Sequence, residues 1–406
     1  MTQSQALKVM LSGANVFLSG APGSGKSFLL EEFIRIASRK GKTIATTATT
    51  GISANLIHGM TIHSWSGLGT IKVISKSDLK KLFKRPGLED RLCAAQILII
   101  DEISMLDAQV LDCLNTLLKH FRGNGEAFGG LQVILCGDFF QLPPVSLDLV
   151  PYAFLAKSWQ ELGLEICYLN EQHRQEDAGL YEVLVALRER RLMKRHVDLL
   201  LDRQNVKHGQ TTILLTHNSE VDRLNTSRLE LLSSKSMSFE MVMRGNLKES
   251  ELIAKSVLAP KVLVLKVGAL VMFVANSPRE GFFNGTQGKV IGFKKGLPIV
   301  EIDGSGQRIS VNAYSWRRED KGRVIAEAIQ LPLKLAWAIT IHKSQGMSLS
   351  SAEIDLSRSF TYGMGYVALS RLRTMDGLYL RGINSRSLQL DPKVYEFYGS
   401  LGVINK

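Results

Sequence analysis

The chain of 406 residues holds only four cysteines, Cys93, Cys113, Cys136 and Cys167, and none stand in CxxC spacing. A disulfide scaffold and a thiolate zinc site are both excluded, and a reducing compartment is the default. No apolar run approaches the roughly 18 residues that a membrane helix needs, so no bilayer span and no membrane partner are expected. The N-terminal Met1-Thr-Gln-Ser-Gln lacks the basic and apolar regions of a signal peptide, and a cytoplasmic or otherwise intracellular protein is expected. Repeats, low-complexity tracts and long linkers are missing as well. Acidic residues are in deficit: 38 against 50 Lys and Arg leave a net charge of +12 and a pI near 9.5. Such a surplus favours a polyanionic partner by long-range attraction.

What is present reads as globular. Hydrophobic residues make up 45% and charged residues 22%, enough apolar chain for a core in each of two or more domains. Short apolar runs at 16–19, 43–47, 97–100 and 133–136 alternate with helical patterns, the signature of a parallel sheet covered by helices. Between the first two, 27–40 places Phe28, Leu29, Phe33, Ile34 and Ile36 on one helical face, with Gly41 as a stop. A second α/β stretch includes a strand at 212–215 and resumes at 333–339 and 377–380. It is interrupted at about 268–328 by short β-like runs (289–293, 298–302, 307–311) with glycines between them, which predict a small inserted β-barrel. The expected fold is α/β, with two such domains and the second one split.

Gly20-Ala-Pro-Gly23-Ser24-Gly25-Lys26-Ser27 matches GxxxxGK[ST] between a strand and a helix. Glycines let backbone N–H groups curl around phosphates, and the helix N-terminus adds partial positive charge. Lys26 is then expected on the β/γ-phosphates and Ser27 on Mg²⁺. The apolar run at 97–100 delivers Asp101-Glu102 to the C-terminal edge of the sheet, where ligands bind. Asp101 is the expected metal carboxylate and Glu102 the group that polarises water, which points to hydrolysis of a nucleoside triphosphate. The run at 133–136 delivers Gly137-Asp-Phe-Phe-Gln141 to the same edge, and Gln141 is suited to sensing a terminal phosphate. Cationic help in the transition state has two candidates, Arg174 and Arg371, which the residues alone do not rank.

Binding of a single strand needs cations along a track and flat side chains for bases. His63, Trp65, Phe139, Phe140, His342 and Lys343 fall in loops at strand ends or beside these motifs. Lys72, Lys76, Lys80 and Lys84 recur every fourth residue, joined by Lys81 and Arg85, and make one cationic stripe on a helix.

In order along nearly the whole chain, these segments resemble the Pif-one-type DNA helicases of superfamily one, relatives of the RecD-like helicases. The resemblance rests on Gly20–Ser27, Thr50-Gly-Ile-Ser-Ala54 with Thr61-Ile-His-Ser64, Asp101-Glu-Ile-Ser-Met105, Gly137–Val145, Arg174-Gln175, Thr340-Ile-His-Lys-Ser-Gln-Gly346 and Tyr366–Arg371. Leu106-Asp-Ala108 running to Phe128-Gly-Gly-Leu-Gln132 is its most specific piece. Trp65 stands where phenylalanine is usual, and Ala127 where a proline precedes Phe128. The resemblance implies two RecA-like domains with ATP and Mg²⁺ between them, at 1–162 and at 163–267 with 329–406. It adds a small wedge at about 66–88 and an SH3-like insertion at 268–328. Arg174 and Arg371 become arginine fingers in cis, Gln5 the adenine-reading glutamine, and Gln345 and Gly346 the link from nucleotide to DNA. Thr50, Gly51, His63, Ser64, Phe139, Phe140, Asn284, Thr340, His342 and Lys343 become DNA contacts. A monomer moving 5′-to-3′ on single-stranded DNA and opening forked or tailed duplexes, in repair, replication or recombination, is implied. A translocase or RNA helicase that opens no DNA duplex, and an ATP-gated binding module, remain alternatives.

Overall fold

A computed structural model describes residues 1–403 except 70, 72, 145–151, 172–176, 210, 278 and 321–322. The N-terminal lobe is built on a six-stranded parallel sheet. Its strands are β1 (Val16–Gly20), β2 (Ile44–Ala48), β3 (Met60–Thr61), β4 (Ile97–Asp101), β5 (Gln132–Cys136) and β6 (Glu165–Leu169), in the order β3-β2-β4-β5-β1-β6. β1, β4 and all but the first residue of β5 are buried, as runs without alternation must be when helices cover both faces. The expected boundary at 162 falls before β6, which pairs in parallel with β1 from Val16↔Glu165 to Gly20↔Leu169 and so belongs to the first sheet. The helix after β1 runs Lys26–Arg39 and buries Leu29, Leu30, Phe33 and Ala37, whereas Phe28 is 65% exposed.

The family-specific segment has a local cause. Asp107 caps the helix Ala108–Arg122 by accepting from Gln109 N, and Asn115 on that helix accepts from Phe128 N. Phe128 and Gly129 turn back with φ of 51° and 63°, and Arg122 Nε donates to the Gly129 carbonyl at 2.8 Å.

The second lobe is a four-stranded parallel sheet in the order Ala338–Thr340, Ile213–Leu215, Ala352–Leu356, Leu378–Ile383. The inserted β structure is wider than expected. A five-stranded antiparallel sheet (Leu270–Phe273, Gln287–Lys294, Leu297–Ile302, Arg308–Ser310, Leu333–Leu335) is joined by the hairpin Tyr314–Asp320 and Arg323–Gln330, which pairs with Val242–Gly245. Leu333–Leu335 thus closes the insertion, and only Ala338–Thr340 returns to the second lobe's sheet.

The chain ends its described part back on the first lobe. The helix Pro392–Ser400 stacks Phe397 on Phe154 at 4.2 Å and Tyr398 on Phe140 at 4.9 Å, beside Phe17 and Phe139. Tyr398 is fully buried, and each such aromatic contributes roughly 1.5–3 kcal/mol of burial. No helix among the described residues is long and apolar enough to cross a membrane.

Candidate active site between the two lobes

The phosphate loop has the backbone its sequence demands. Gly23 and Gly25 stand at φ of 87° and 85°, a region side chains disfavour, and a Cβ on Gly20 would lie 2.7 Å from Ser24 Oγ. The Ser24 hydroxyl is buried with no partner among the described residues, a polar atom aimed into the loop. Lys26 Nζ donates to the carbonyls of Gly20 (2.8 Å) and Ala21 (3.0 Å). Burial pulls its pKa down, opposed by Asp138, Cys136 and Glu102.

A cleft of about 440 Å³ brings the expected groups together. Lys26, Ser27, Asp101, Glu102 and Gln141 line it from the first lobe, and Gly346 and Arg371 from the second. Glu102 sits at φ 54°, a left-handed backbone that costs a non-glycine residue about 1–3 kcal/mol and tends to mark functional sites. Burial first, then the charge of Asp101, push its carboxyl up to about 7, where a base for water belongs. Asp101 is likewise pushed up by burial, while its Oδ1 accepts from Glu102 N at 2.9 Å. Gln345 crosses the cleft: its Nε2 donates to Glu102 Oε2 at 3.0 Å and to Gln141 Oε1 at 3.4 Å. Arg371 is 2% exposed, with Nε donating to Val367 O, Nη1 to Met347 O and Nη2 to Ser370 Oγ. It is near enough to draw the Glu102 carboxyl downward, against burial. Arg174 lies outside the described residues.

Gln5 and the loop aromatics stand in different surroundings. Gln5 closes a capping box with Thr2, its Oε1 accepting from Thr2 N, and is not among the residues that line the cleft. Gln3 Nε2 donates to the Ser24 carbonyl at 3.3 Å. Phe139, Phe140 and Trp65 are 1%, 1% and 3% exposed, packed in the first lobe's core, and cannot stack on a base. Sequence reasoning also missed Phe28 and Arg373, exposed residues that line the cleft mouth.

The remaining expected DNA contacts divide. Thr340 is buried, and its Oγ1 accepts from Lys343 N, so it shapes the turn and offers no surface. Thr50 caps the helix Gly51–Leu56, and Gly51 packs on the end of the helix Leu247–Ser256, where a Cβ would lie 2.5 Å from Ser256 Cβ. Asn284 N donates to Asn276 Oδ1, and its own Oδ1 is buried without a partner among the described residues. His63 and Ser64 are half-buried beside Thr61, whose Oγ1 donates to Ser64 Oγ. Burial lowers the pKa of His63, and burial with His217 that of His342, which disfavours the charged form of both rings. His342 lies 6.3 Å from the ring of Phe360, which is 57% exposed, and Lys343 is half-buried. Lys76, Lys80, Lys81 and Lys84 are exposed on or just after the helix Lys76–Phe83; Lys72 lies outside the described residues.

The family model of the PIF1-like helicases matches residues 3–205, and that of the DNA helicase Pif1 2B domain matches 249–293. The ATP-dependent DNA helicase Pif1 of Psychrobacter sp. (strain PRwf-1) is 39% identical over 97% of this chain and 69% of its own length. The human ATP-dependent DNA helicase PIF1 is 36% identical over 98% of this chain, which spans 63% of it. The crystal structure of Pif1 helicase from Candida albicans superposes with a TM-score of 0.79 at 35% identity, covering 98% of both chains. Bacteroides sp Pif1 in complex with ADP-AlF4 gives 0.86 at 28% identity over 98% of this chain and 96% of its own, and Bacteroides Pif1 bound to ssDNA gives 0.69. A phosphate loop, an acidic pair and an arginine meeting across two RecA-like lobes, in a chain that shares this much sequence and shape with such proteins, have one source: the chain belongs to the PIF1-like helicase family.

Proposed function

We propose that the chain is an ATP- and Mg²⁺-dependent DNA helicase that moves 5′-to-3′ on a single strand and opens forked or tailed duplexes. The observation that carries the reading is Gln345, an amide of the second lobe that touches both Glu102 and Gln141 of the first. The cleft suits a triphosphate: glycines free the loop's N–H groups, Ser24 Oγ awaits a partner, and Lys26 Nζ can exchange its two carbonyls for phosphate oxygens. Ser27 and Asp101 are the residues that would hold Mg²⁺. When bound, the metal supplies charge neutralisation at the phosphates.

Glu102, poised near neutrality, accepts a proton from water, and Gln141 and Gln345 orient the attack. Arg371, already desolvated, stabilises charge on the transferring phosphoryl group, an effect worth roughly 10³–10⁵ in rate. Because the acid–base group and the arginine sit on different lobes, turnover requires closure, and release of the product lets the lobes part. Alternating grip on a strand follows when the two lobes hold it unequally in the two states. His342 and Lys343, with the exposed lysines of Lys76–Phe83, are the DNA-facing groups the reading retains, and a monomer suffices. Single-stranded DNA should stimulate ATP turnover, and a 5′-tailed duplex should be unwound. Unwinding of only 3′-tailed duplexes would overturn the polarity, and turnover that DNA does not stimulate would leave only the gated binder.

A further inference from the structure

Behind the cleft, a buried cation joins the parts that carry Gln141 and Arg371. Arg188 ends the helix Ala178–Arg188 and is 5% exposed. Its Nη1 donates to Asp138 Oδ2 at 2.6 Å and to Tyr366 Oη at 2.7 Å, and its Nη2 to Tyr168 Oη at 2.7 Å. The guanidinium carbon lies 4.8 Å from the Phe140 ring centre. Asp138 stands between β5 and Gln141, and its Oδ1 accepts from Phe140 N at 3.2 Å, fixing the start of that loop. Tyr366 sits on the helix Met364–Leu369, whose Val367 carbonyl accepts from Arg371 Nε. Tyr398, stacked on Phe140, shares a 2.6 Å hydrogen bond with Ser19 Oγ, one residue before the phosphate loop.

A buried ion pair adds little net stability over an apolar replacement, yet a planar fork fixes the direction of each partner. Register, more than stability, is what such a group supplies here. Catalytic groups displaced by about 1 Å can lose on the order of 10²-fold in rate, so the register of Gln141 against Arg371 matters to turnover.

We propose that Arg188 is a positioning residue for ATP turnover: it clamps Asp138 to Tyr366, so that the loop bearing Gln141 and the helix leading into Arg371 face each other in one register. The proposal rests on the ATPase reading above. The test compares the full chain with Tyr366→Phe, which deletes one hydroxyl, Arg188→Lys, which keeps charge but loses the fork, and both together. ATP turnover with and without a single-stranded oligonucleotide, KM for ATP, oligonucleotide affinity and the thermal midpoint are measured. DNA-stimulated kcat is expected to fall roughly tenfold in each single variant and no further in the double, with KM and oligonucleotide affinity within about twofold. Unchanged kcat in Tyr366→Phe overturns the proposal, as do losses that multiply in the double variant, since two independent defects would then be acting. If Arg188→Lys does not fold, Tyr168→Phe takes its place in the same comparison. Should the unaltered chain hydrolyse no ATP, the motor reading fails by itself. The clamp is then judged by the distance distribution between spin labels at Lys40→Cys and Ser227→Cys in a Cys93→Ser background. Broadening in Tyr366→Phe supports it, and an unchanged width overturns it.

Discussion

Replacing Glu102 by glutamine separates chemistry from stability. The folded chain holds this carboxyl at about 7 against an ordinary 4.5, chiefly through burial and then through Asp101; Lys26, Arg371 and Gln345 oppose the shift without cancelling it. A carboxyl raised on folding binds its proton more tightly in the folded chain. Its stabilising contribution is therefore complete below the unfolded value and is lost as pH rises through 7. Across that gap the ionised group costs the fold roughly 3 kcal/mol by pH 8, but only about 1 kcal/mol at pH 5. Glutamine keeps the shape and an oxygen for Gln345 Nε2, and it does not ionise. Glu102→Gln should thus raise the thermal midpoint by roughly 3–4 °C at pH 8, and by much less at pH 5. ATP turnover should drop about 10²–10⁴-fold. Denaturation at the two pH values, paired with a turnover assay, reads both effects. A stability gain that is no larger at pH 8 than at pH 5, or turnover at the unaltered rate, would remove Glu102 from this role.

Other outcomes follow from the same cleft. In the unaltered chain, kcat/KM should rise as pH passes through about 7, because Glu102 acts ionised; a flat profile between pH 6 and 8 would contradict this. Lys26→Ala should abolish turnover while leaving oligonucleotide binding within about tenfold, as measured by anisotropy, since the lysine faces phosphate and not the strand. Arg371→Ala should cut kcat by roughly 10³-fold or more with a smaller change in nucleotide affinity; wild-type kcat in a folded variant would remove the finger role. Gln3→Ala should raise KM for ATP about tenfold by freeing the Ser24 carbonyl, with kcat nearly kept.

Features written in a few adjacent residues were legible in the sequence, and features made by distant ones were not. β1, β4 and β5 lie within a residue of the expected strands because buried parallel strands are nearly uninterrupted apolar runs, and β2 does so too, although it is half-buried and carries two threonines. The phosphate loop, the acidic pair and Gln141 converge as expected, since each follows a strand of one sheet and parallel strands present their ends at one edge. Phe139 and Phe140 look like loop aromatics next to Gln141. What buries them is Tyr398 and Phe397, more than two hundred residues later, and no local pattern announces that helix. Gln5 was the expected adenine reader by resemblance alone, and its capping box with Thr2 is a contact that the four residues Thr2-x-x-Gln5 spell out. β6 looks like an opening strand of the second lobe, but hydrogen bonding to β1 assigns it to the first. The lysines 76, 80, 81 and 84 do form an exposed cationic face, as their spacing required.

The helix Pro392–Ser400 makes the polypeptide leave the first lobe, build the second and then come home. Neither lobe can therefore be excised by a single cut: a fragment ending near Leu169 would bare the greasy socket of Phe17, Phe139, Phe140 and Phe154, and would tend to clump. An independently folding first lobe needs this helix supplied, either grafted after β6 or added as a separate peptide. The same threading gives the two lobes two covalent crossings in place of one, which confines their relative travel to a swing and forbids free tumbling.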